Sequence, residues 1–207
     1  ATGIRHKNKS ITKYGDLSVL SFHATKVFTT FEGGAIISPS KKIKNKIDEL
    51  KNFAIKGPEK VTGLGINGKM NEAEAAMGIL QLKYLKENIE KRAKVHRTYN
   101  SAFKDINQIR LLNIPENLDY NYAYYPIFFE RGKSFRDYIH DRLLKKGIIS
   151  RKYWFPLISK HALYKNKHNH PTPNALKLSK SVLCLPIFPD LKKEDQLKII
   201  KIIIDEI

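Results

Sequence analysis

One short stretch gathers residues that can do chemistry together: Ser21-Phe22-His23-Ala24-Thr25-Lys26, followed by Glu32-Gly33-Gly34. It lies between two apolar runs, 17–22 and 34–38, that read as buried strands. A lysine in a turn between buried strands loses hydration, which disfavours its ammonium form. The free amine is then a nucleophile that can form a Schiff base with a carbonyl, and a proton carrier at one carbon. Gly33 and Gly34 would let the backbone approach a bulky group closely. The plain alternative is a surface turn whose lysine stays solvated, the usual fate of that residue. Likewise, His23 is as readily a hydrogen-bonded structural histidine as a ligand contact.

Two further segments carry polar groups at irregular positions. Asn67 sits in a loop, 57–70, that holds Gly57, Gly63, Gly65 and Gly68. Arg151 and Lys152 follow a Gly147-Ile148-Ile149-Ser150 step and precede Tyr153-Trp154-Phe155-Pro156. Read from the residues alone, both cations are ordinary surface charge. The three aromatics read as core or interface residues rather than a stacking platform.

The elements that must position these groups alternate between strand and helix. Residues 1–16 are polar and loop-like. Ser38-Pro39-Ser40 starts a helix in which Ile43, Ile47, Leu50 and Ala54 keep helical spacing up to Gly57-Pro58. Asn71 and Glu74 form a capping-box pair at the start of a long helix. Ala73, Ala76, Met77 and Leu80 lie on one side of that helix and Ala75, Ile79, Leu82 and Leu85 on another. So wide an apolar sector calls for burial against two partners, one of them in another subunit. After about residue 97 come an aromatic strand at 122–129, a helix at 135–146 stopped by Gly147, and a short strand at 148–151. A loop marked by Pro156, Pro171 and Pro173 follows, then a helix near 174–181, a strand at 182–185 and a final helix at 192–204. Strand and helix in alternation predict an α/β layered chain.

Composition narrows the class. The 207 residues are 42% hydrophobic and 10% aromatic, enough for a core, so global disorder is excluded. One cysteine, Cys184, rules out an internal disulfide and fits a reducing, cytoplasmic setting. No run of 18 apolar residues is present, so no transmembrane helix is expected. The charge is 38 basic minus 20 acidic residues, or +18, which favours anionic partners. It does not choose between a phosphorylated small molecule and nucleic acid, and Lys-rich solvated surface explains it equally well.

The motifs themselves go further. Ser21-Phe22-His23-x-x-Lys26 with Glu32-Gly33-Gly34 resembles the cofactor segment of the DegT/DnrJ/EryC1/StrS sugar aminotransferases. Gly65-Ile66-Asn67-Gly68-Lys69-Met70, Ala75-Ala76-Met77-Gly78 with Gln81-Leu82, the 147–157 segment and Val182-Leu183-Cys184-Leu185-Pro186 resemble that family's later motifs in the same order. The resemblance implies the C-terminal portion of a fold-type I transferase dependent on pyridoxal 5'-phosphate. Residues 1–97 would be the end of the large, cofactor-binding domain, with part of its sheet. Residues 98–207 would be a small α/β domain. Lys26 would hold the cofactor as a Schiff base and move the proton. Ser21 would donate to the cofactor phosphate, and Asn67 would reach the phosphate of a neighbouring subunit's cofactor, making a homodimer with shared sites. His23, Arg151 and Lys152 would face substrate, and no metal is assigned.

The implied reaction moves an amino group, from glutamate, to a keto group of a nucleotide-linked deoxysugar. A dTDP-4-keto-6-deoxyhexose is the expected acceptor, in surface-polysaccharide biosynthesis. Lys26 argues against the dehydratases of the same family, which carry histidine at that position. Lys69 stands where the family commonly has arginine, which keeps the charge and loses the bidentate fork. The family's aspartate for the pyridine nitrogen, its phosphate turn and its ring-stacking aromatic have no counterpart here. The expectation is therefore a fragment that is inactive alone. A truncated non-catalytic subunit is the alternative, and a basic nucleic-acid-binding module a weaker one, since no nucleic-acid motif is found and no membrane partner is expected.

Overall fold

The computed structural model describes residues 1–164 and 171–207. Chain order runs β1 (Arg5–His6), β2 (Lys9–Ser10), β3 (Ser18–Ser21), β4 (Gly34–Ile37), α1 (Lys41–Leu50), α2 (Glu72–Phe103), β5 (Ile109–Leu111), β6 (Leu118–Asp119), β7 (Tyr125–Phe129), α3 (Gly132–Lys145), α4 (Pro173–Ser181), β8 (Val182–Leu185) and α5 (Lys193–Ile204). The chain is mixed α/β and forms two compact units. The first comprises residues 1–89 and 115–121, the second residues 90–114 and 122–207. The division falls inside α2, while the change of sequence style lies near residue 97.

In the first unit β3 and β4 pair antiparallel, with Ser18 opposite Ile37 and Ser21 opposite Gly34. The two runs do not form buried strands as the apolar pattern predicts. Val19 is 75% exposed, and Leu17, Ile36 and Ile37 are exposed too. A two-stranded ribbon has two faces, and within this unit neither is fully covered. The polar start of the chain is not all loop either. β1 pairs with β2 and with β6, and Asn121 Nδ2 donates to Thr2 O at 2.8 Å.

Helix α1 begins at the Ser40 cap, whose Oγ accepts from Ile43 N. It stops at Leu50, four residues short of the apolar spacing that includes Ala54. The reason is a competing set of partners. Ile66 N donates to Leu50 O, Gly68 N to Lys51 O, and Phe53 N to Ile66 O. The incoming loop takes the carbonyls that a longer helix would use. Phe53 and Ala54 turn to positive φ, and Ala54 is fully buried outside the helix. Gly65 permits this seat: a Cβ there would stand 2.3 Å from Ala54 N and 2.7 Å from Leu50 O.

The capping box at α2 forms as expected. Glu74 N donates to Asn71 Oδ1 at 2.9 Å and Asn71 N to Glu74 Oε2 at 3.2 Å. Within the first unit only one stripe of the helix is covered, through Met77, Gly78, Gln81, Leu85 and Ile89. Ile79 is 63% exposed, and Leu80 and Leu82 are exposed beside it.

The second unit holds the main core. The sheet order is β5-β7-β8, antiparallel throughout, with Ile109 opposite Phe129 and Tyr125 opposite Leu185. Ile127, Phe129 and Leu183 are sealed against Phe135, Ile139 and Leu143 of α3 and Ile199 and Ile203 of α5. Tyr99 and Phe103 of α2 close the same core. Burying such side chains contributes about 1.5–3 kcal/mol each before the entropy cost is counted. Helix α3 starts at Gly132, three residues before the predicted start. Arg151 makes an isolated bridge to Cys184 instead of the predicted strand over 148–151. The proline-marked loop after Pro156 includes residues 165–170, which lie outside the described residues.

Candidate functional site

The turn between β3 and β4 is built from its own backbone outward. Phe22 N donates to Gly33 O at 2.9 Å, continuing the ladder one step beyond the strands. Phe22 O then accepts from both Thr30 N and Thr29 Oγ1 at 3.0 Å. Thr30 Oγ1 donates to Glu32 O, and Phe31 N donates to Thr29 Oγ1. Val27, Phe28 and Thr30 are buried, and the Phe22 and Phe28 rings meet edge to face at 4.7 Å. Two hydroxyl side chains and three buried residues thus hold a ten-residue excursion that would otherwise be free to move.

Lys26 is the residue immediately before that buried run. Its backbone N–H donates to His23 O at 2.9 Å, and its side chain is half-buried. Among the described residues its amine has no hydrogen-bond or ion-pair partner. The desolvation expected between buried strands is therefore partial in this chain, because the strands themselves are open. Ser21 ends β3, is exposed, and spends its hydroxyl on nothing among the described residues.

His23 is tied into the turn. Thr25 N donates to its Nδ1 at 3.2 Å, with Thr25 Oγ1 2.9 Å from the same nitrogen. A nitrogen that accepts from a backbone N–H carries no proton, so the neutral ring bears its hydrogen on Nε2. That nitrogen lies 3.6 Å from Glu32 Oε1. The structural reading of His23 is fully accounted for by these contacts.

The two glycines serve the turn rather than an open cradle. A Cβ on Gly34 would stand 2.5 Å from Leu20 O. Gly33 has φ +113, and a Cβ there would meet Thr30 Oγ1 at 3.0 Å and Met70 Cε at 3.1 Å. The direction in which each glycine would carry a side chain is filled by the protein's own atoms. Met70 also shows that the glycine-bearing loop reaches this turn. Behind the turn, a Cβ on Gly78 of α2 would meet Thr30 Cγ2 at 3.1 Å and Phe28 Cζ at 3.8 Å. The small residue at 78 is what allows α2 to seat the Lys26 turn.

Asn67 lies on that glycine-bearing loop and bridges to Asn52 at the end of α1. Its Oδ1 accepts from Lys69 N at 3.4 Å, while Lys69 Nζ donates to Asn52 Oδ1 at 2.9 Å and sits over the Phe53 ring. The amide Nδ2 of Asn67 has no partner among the described residues. Asn52 is a contributor that the motifs did not reveal. Nothing in the spacing of residues 52 and 69 announces the contact.

Arg151 and Lys152 belong to the second unit. Arg151 is exposed, with its guanidinium 5.7 Å from the Tyr153 ring centre. Lys152 Nζ is bound to Asp137 Oδ1 at 2.8 Å. Asp137 also receives Lys133 and Arg136, each at 2.8 Å. Partial burial works against ionisation of Asp137. The hydrogen bonds from Lys133 and Lys152 and the charge of Arg136 outweigh it and hold the carboxyl far below the usual range. Beside it, His140 lies 2.9 Å from Ser150 Oγ. Burial, then the nearby Lys152, keep its pKa below the ordinary histidine value. Asp137 was silent in the sequence because its three partners come from two separate segments.

The Lys26 amine, the Ser21 hydroxyl and the Asn67 Nδ2 are thus left without hydrogen-bond partners among the described residues of the first unit. The sequence profile of the DegT/DnrJ/EryC1/StrS aminotransferase family matches residues 1–204. This chain belongs to that family. It is 39% identical over 196 residues to the dTDP-4-amino-4,6-dideoxy-D-glucose transaminase of Shigella dysenteriae, covering 94% of this chain and 53% of that protein. It is 42% identical over 180 residues to the protein of the same name from Escherichia coli, covering 84% and 48%. The chain therefore spans about half the length of these relatives. Among solved structures, Helicobacter pylori PseC, an aminotransferase involved in pseudoaminic acid biosynthesis, superposes with a TM-score of 0.92 at 27% identity, over 100% of this chain and 57% of that one. A family aminotransferase from Brucella abortus gives 0.87 at 25%, over 98% and 54%. The membership accounts for the order of the five motifs along this chain. Among the described residues no helix is long and apolar enough to cross a membrane.

Proposed function

We propose that this chain carries the lysine-bearing part of a pyridoxal-phosphate-dependent sugar aminotransferase. The amino group passes, from glutamate, to the keto carbon of a dTDP-4-keto-6-deoxyhexose in surface-polysaccharide biosynthesis in the cytoplasm. The observation that carries the reading is the Lys26 amine, free of internal partners in a turn braced by Thr29, Thr30 and Phe28. Its support from similarity is the 39–42% identity to relatives named for a dTDP-4-amino-4,6-dideoxyglucose.

The cofactor, when bound, supplies an aldehyde for amine exchange and a ring that spreads negative charge away from a carbon. This chain's residues do the rest. Lys26 would hold the cofactor, and its amine, when free, would carry the proton between the substrate carbon and the neighbouring carbon. A single amine can act at both carbons because its four-carbon stem pivots about a fixed backbone, here pinned to His23 O. Ser21 donates its hydroxyl to the cofactor phosphate. Asn67 presents its Nδ2 to the phosphate in a second subunit, its Oδ1 being engaged by Lys69 N. His23, with Nε2 turned toward Glu32, faces the substrate side of the turn. Arg151 meets the sugar-nucleotide diphosphate, with Lys152 beside it. The homodimer is supported by the uncovered flank of α2 at Ile79, Leu80 and Leu82 and by the exposed Leu64 and Ile66.

The test is covalent. The protein is incubated with pyridoxal phosphate, reduced with borohydride and digested, and the adduct is located by mass spectrometry. The adduct falls on Lys26 and disappears in Lys26→Ala. Modification spread evenly over the exposed lysines, with no preference for residue 26, rejects the assignment.

A further inference from the structure

A cleft of about 560 Å³ lies wholly within the second unit, and none of the residues assigned to the aminotransferase reading lines it. Its walls come from three directions. Arg110 leaves β5, Glu130 and Lys133 flank the start of α3, and Lys177 and Lys180 stand on α4. The volume is within the range of small-molecule sites, about 300–1,000 Å³.

The charge inside is one-sided. Arg110 lies 3.6 Å from Glu130 Oε1, and Lys133 is bound to Asp137. Among the lining residues four cations, Arg110, Lys133, Lys177 and Lys180, face one carboxylate, Glu130, an excess of three. Lys177 and Lys180 have no ion-pair partner among the described residues. Three like charges held around a concave surface repel one another and gain from a multivalent anion. Lysine tips reach phosphoryl oxygens as point charges, without demanding a fixed orientation.

The lining also says what the anion is not. Among the described residues the one aromatic in the wall, Phe129, is 1% exposed, so they offer no ring for stacking a base. Single-stranded nucleic acid depends on such platforms. The geometry points to a binding site for a small diphosphate-bearing anion, held by Arg110, Lys133, Lys177 and Lys180. The site is an addition to the aminotransferase reading and does not rest on it.

Lysine footprinting tests the site locally. The chain is acylated in limiting reagent with and without saturating inorganic pyrophosphate, and labelling is read residue by residue. Labelling of Lys177 and Lys180 slows at least fivefold, while the exposed Lys41 and Lys42 of α1 change less than twofold. Uridine diphosphate run in parallel separates the sources of the same chemistry. Tighter protection by the nucleotide assigns a nucleoside diphosphate, and equal protection assigns the free diphosphate. Equal slowing at all four lysines, or no slowing, overturns the site. As a second measurement, the double variant K177E/K180E loses at least tenfold in pyrophosphate affinity by calorimetry, relative to the charge-matched K41E/K42E. Equal loss in both variants also overturns it. Failure of the Lys26 adduct would leave each of these outcomes unchanged.

Discussion

Asp137 and Lys152 are joined at 2.8 Å, and the same carboxylate oxygen receives Arg136 at 2.8 Å. The pair connects α3 to the segment that begins at Arg151. Since Arg136 is fully buried and bonded to the end of α4, one carboxylate organises three parts of the second unit. Removing its charge leaves the Arg136 cation without its counter-ion, which is a costlier change than losing a surface pair.

Asp137→Asn is therefore expected to destabilise the protein by about 1.5–3 kcal/mol near neutral pH, the range for hydrogen bonds to charged groups. The sign of the pH dependence follows from the depressed carboxyl. Its contribution is complete above the ordinary carboxylate pKa and fades as pH falls below about 4 toward the lower folded value. Thermal melts of wild type and variant at pH 7 and pH 3 check this. The gap in Tm is largest at pH 7 and shrinks in acid. A gap that is constant with pH removes the ion-pair account.

Two glycines of one loop should behave oppositely. Gly65→Ala places a methyl 2.3 Å from Ala54 N and must displace the loop that carries Asn67. Gly63 meets nothing within 4 Å, so Gly63→Ala is neutral or slightly stabilising through the unfolded state. Unfolding free energies from denaturant melts should differ by about 1–3 kcal/mol between the two, the usual cost of overpacking. Similar free energies would mean that the loop does not pack as described.

At the start of α2, Asn71→Ala removes one of two reciprocal capping bonds. The expected loss is about 1 kcal/mol in chemical denaturation. Ser or Asp at position 71 should restore most of it, because each offers an oxygen to Glu74 N.

Cys184 is buried in β8, and burial raises its thiol to about 11. A thiol-specific reagent should leave it unmodified in the native protein at pH 8 and react with one equivalent after denaturation. Rapid labelling of the folded protein would place the residue at the surface instead.

Much of the local order is legible in the residue string. The Asn71–Glu74 box, the Ser40 cap, the Gly147 stop and strand β8 follow from short-range rules, since each depends on neighbours three or four positions away. The Lys26 turn is legible for the same reason, because its bracing threonines and its histidine lie within ten residues. Its surroundings are not. The apolar content of Leu17–Phe22 and Ile36–Ile37 reports what those residues could bury, not whether a partner surface lies against them.

What the sequence by itself determined is the set of elements, the motif order and the chemical types available at residues 21, 23, 26 and 67. Tertiary structure alone decided which of those groups stay unspent. Helix α1 ends at Leu50 because a loop from residues 65–68 captures its carbonyls. Gly34 is required by Leu20 O, and Lys152 is taken by Asp137. Each outcome is a competition between hydrogen-bond or van der Waals partners brought together from distant positions. Spacing along the chain carries no information about which of them will meet.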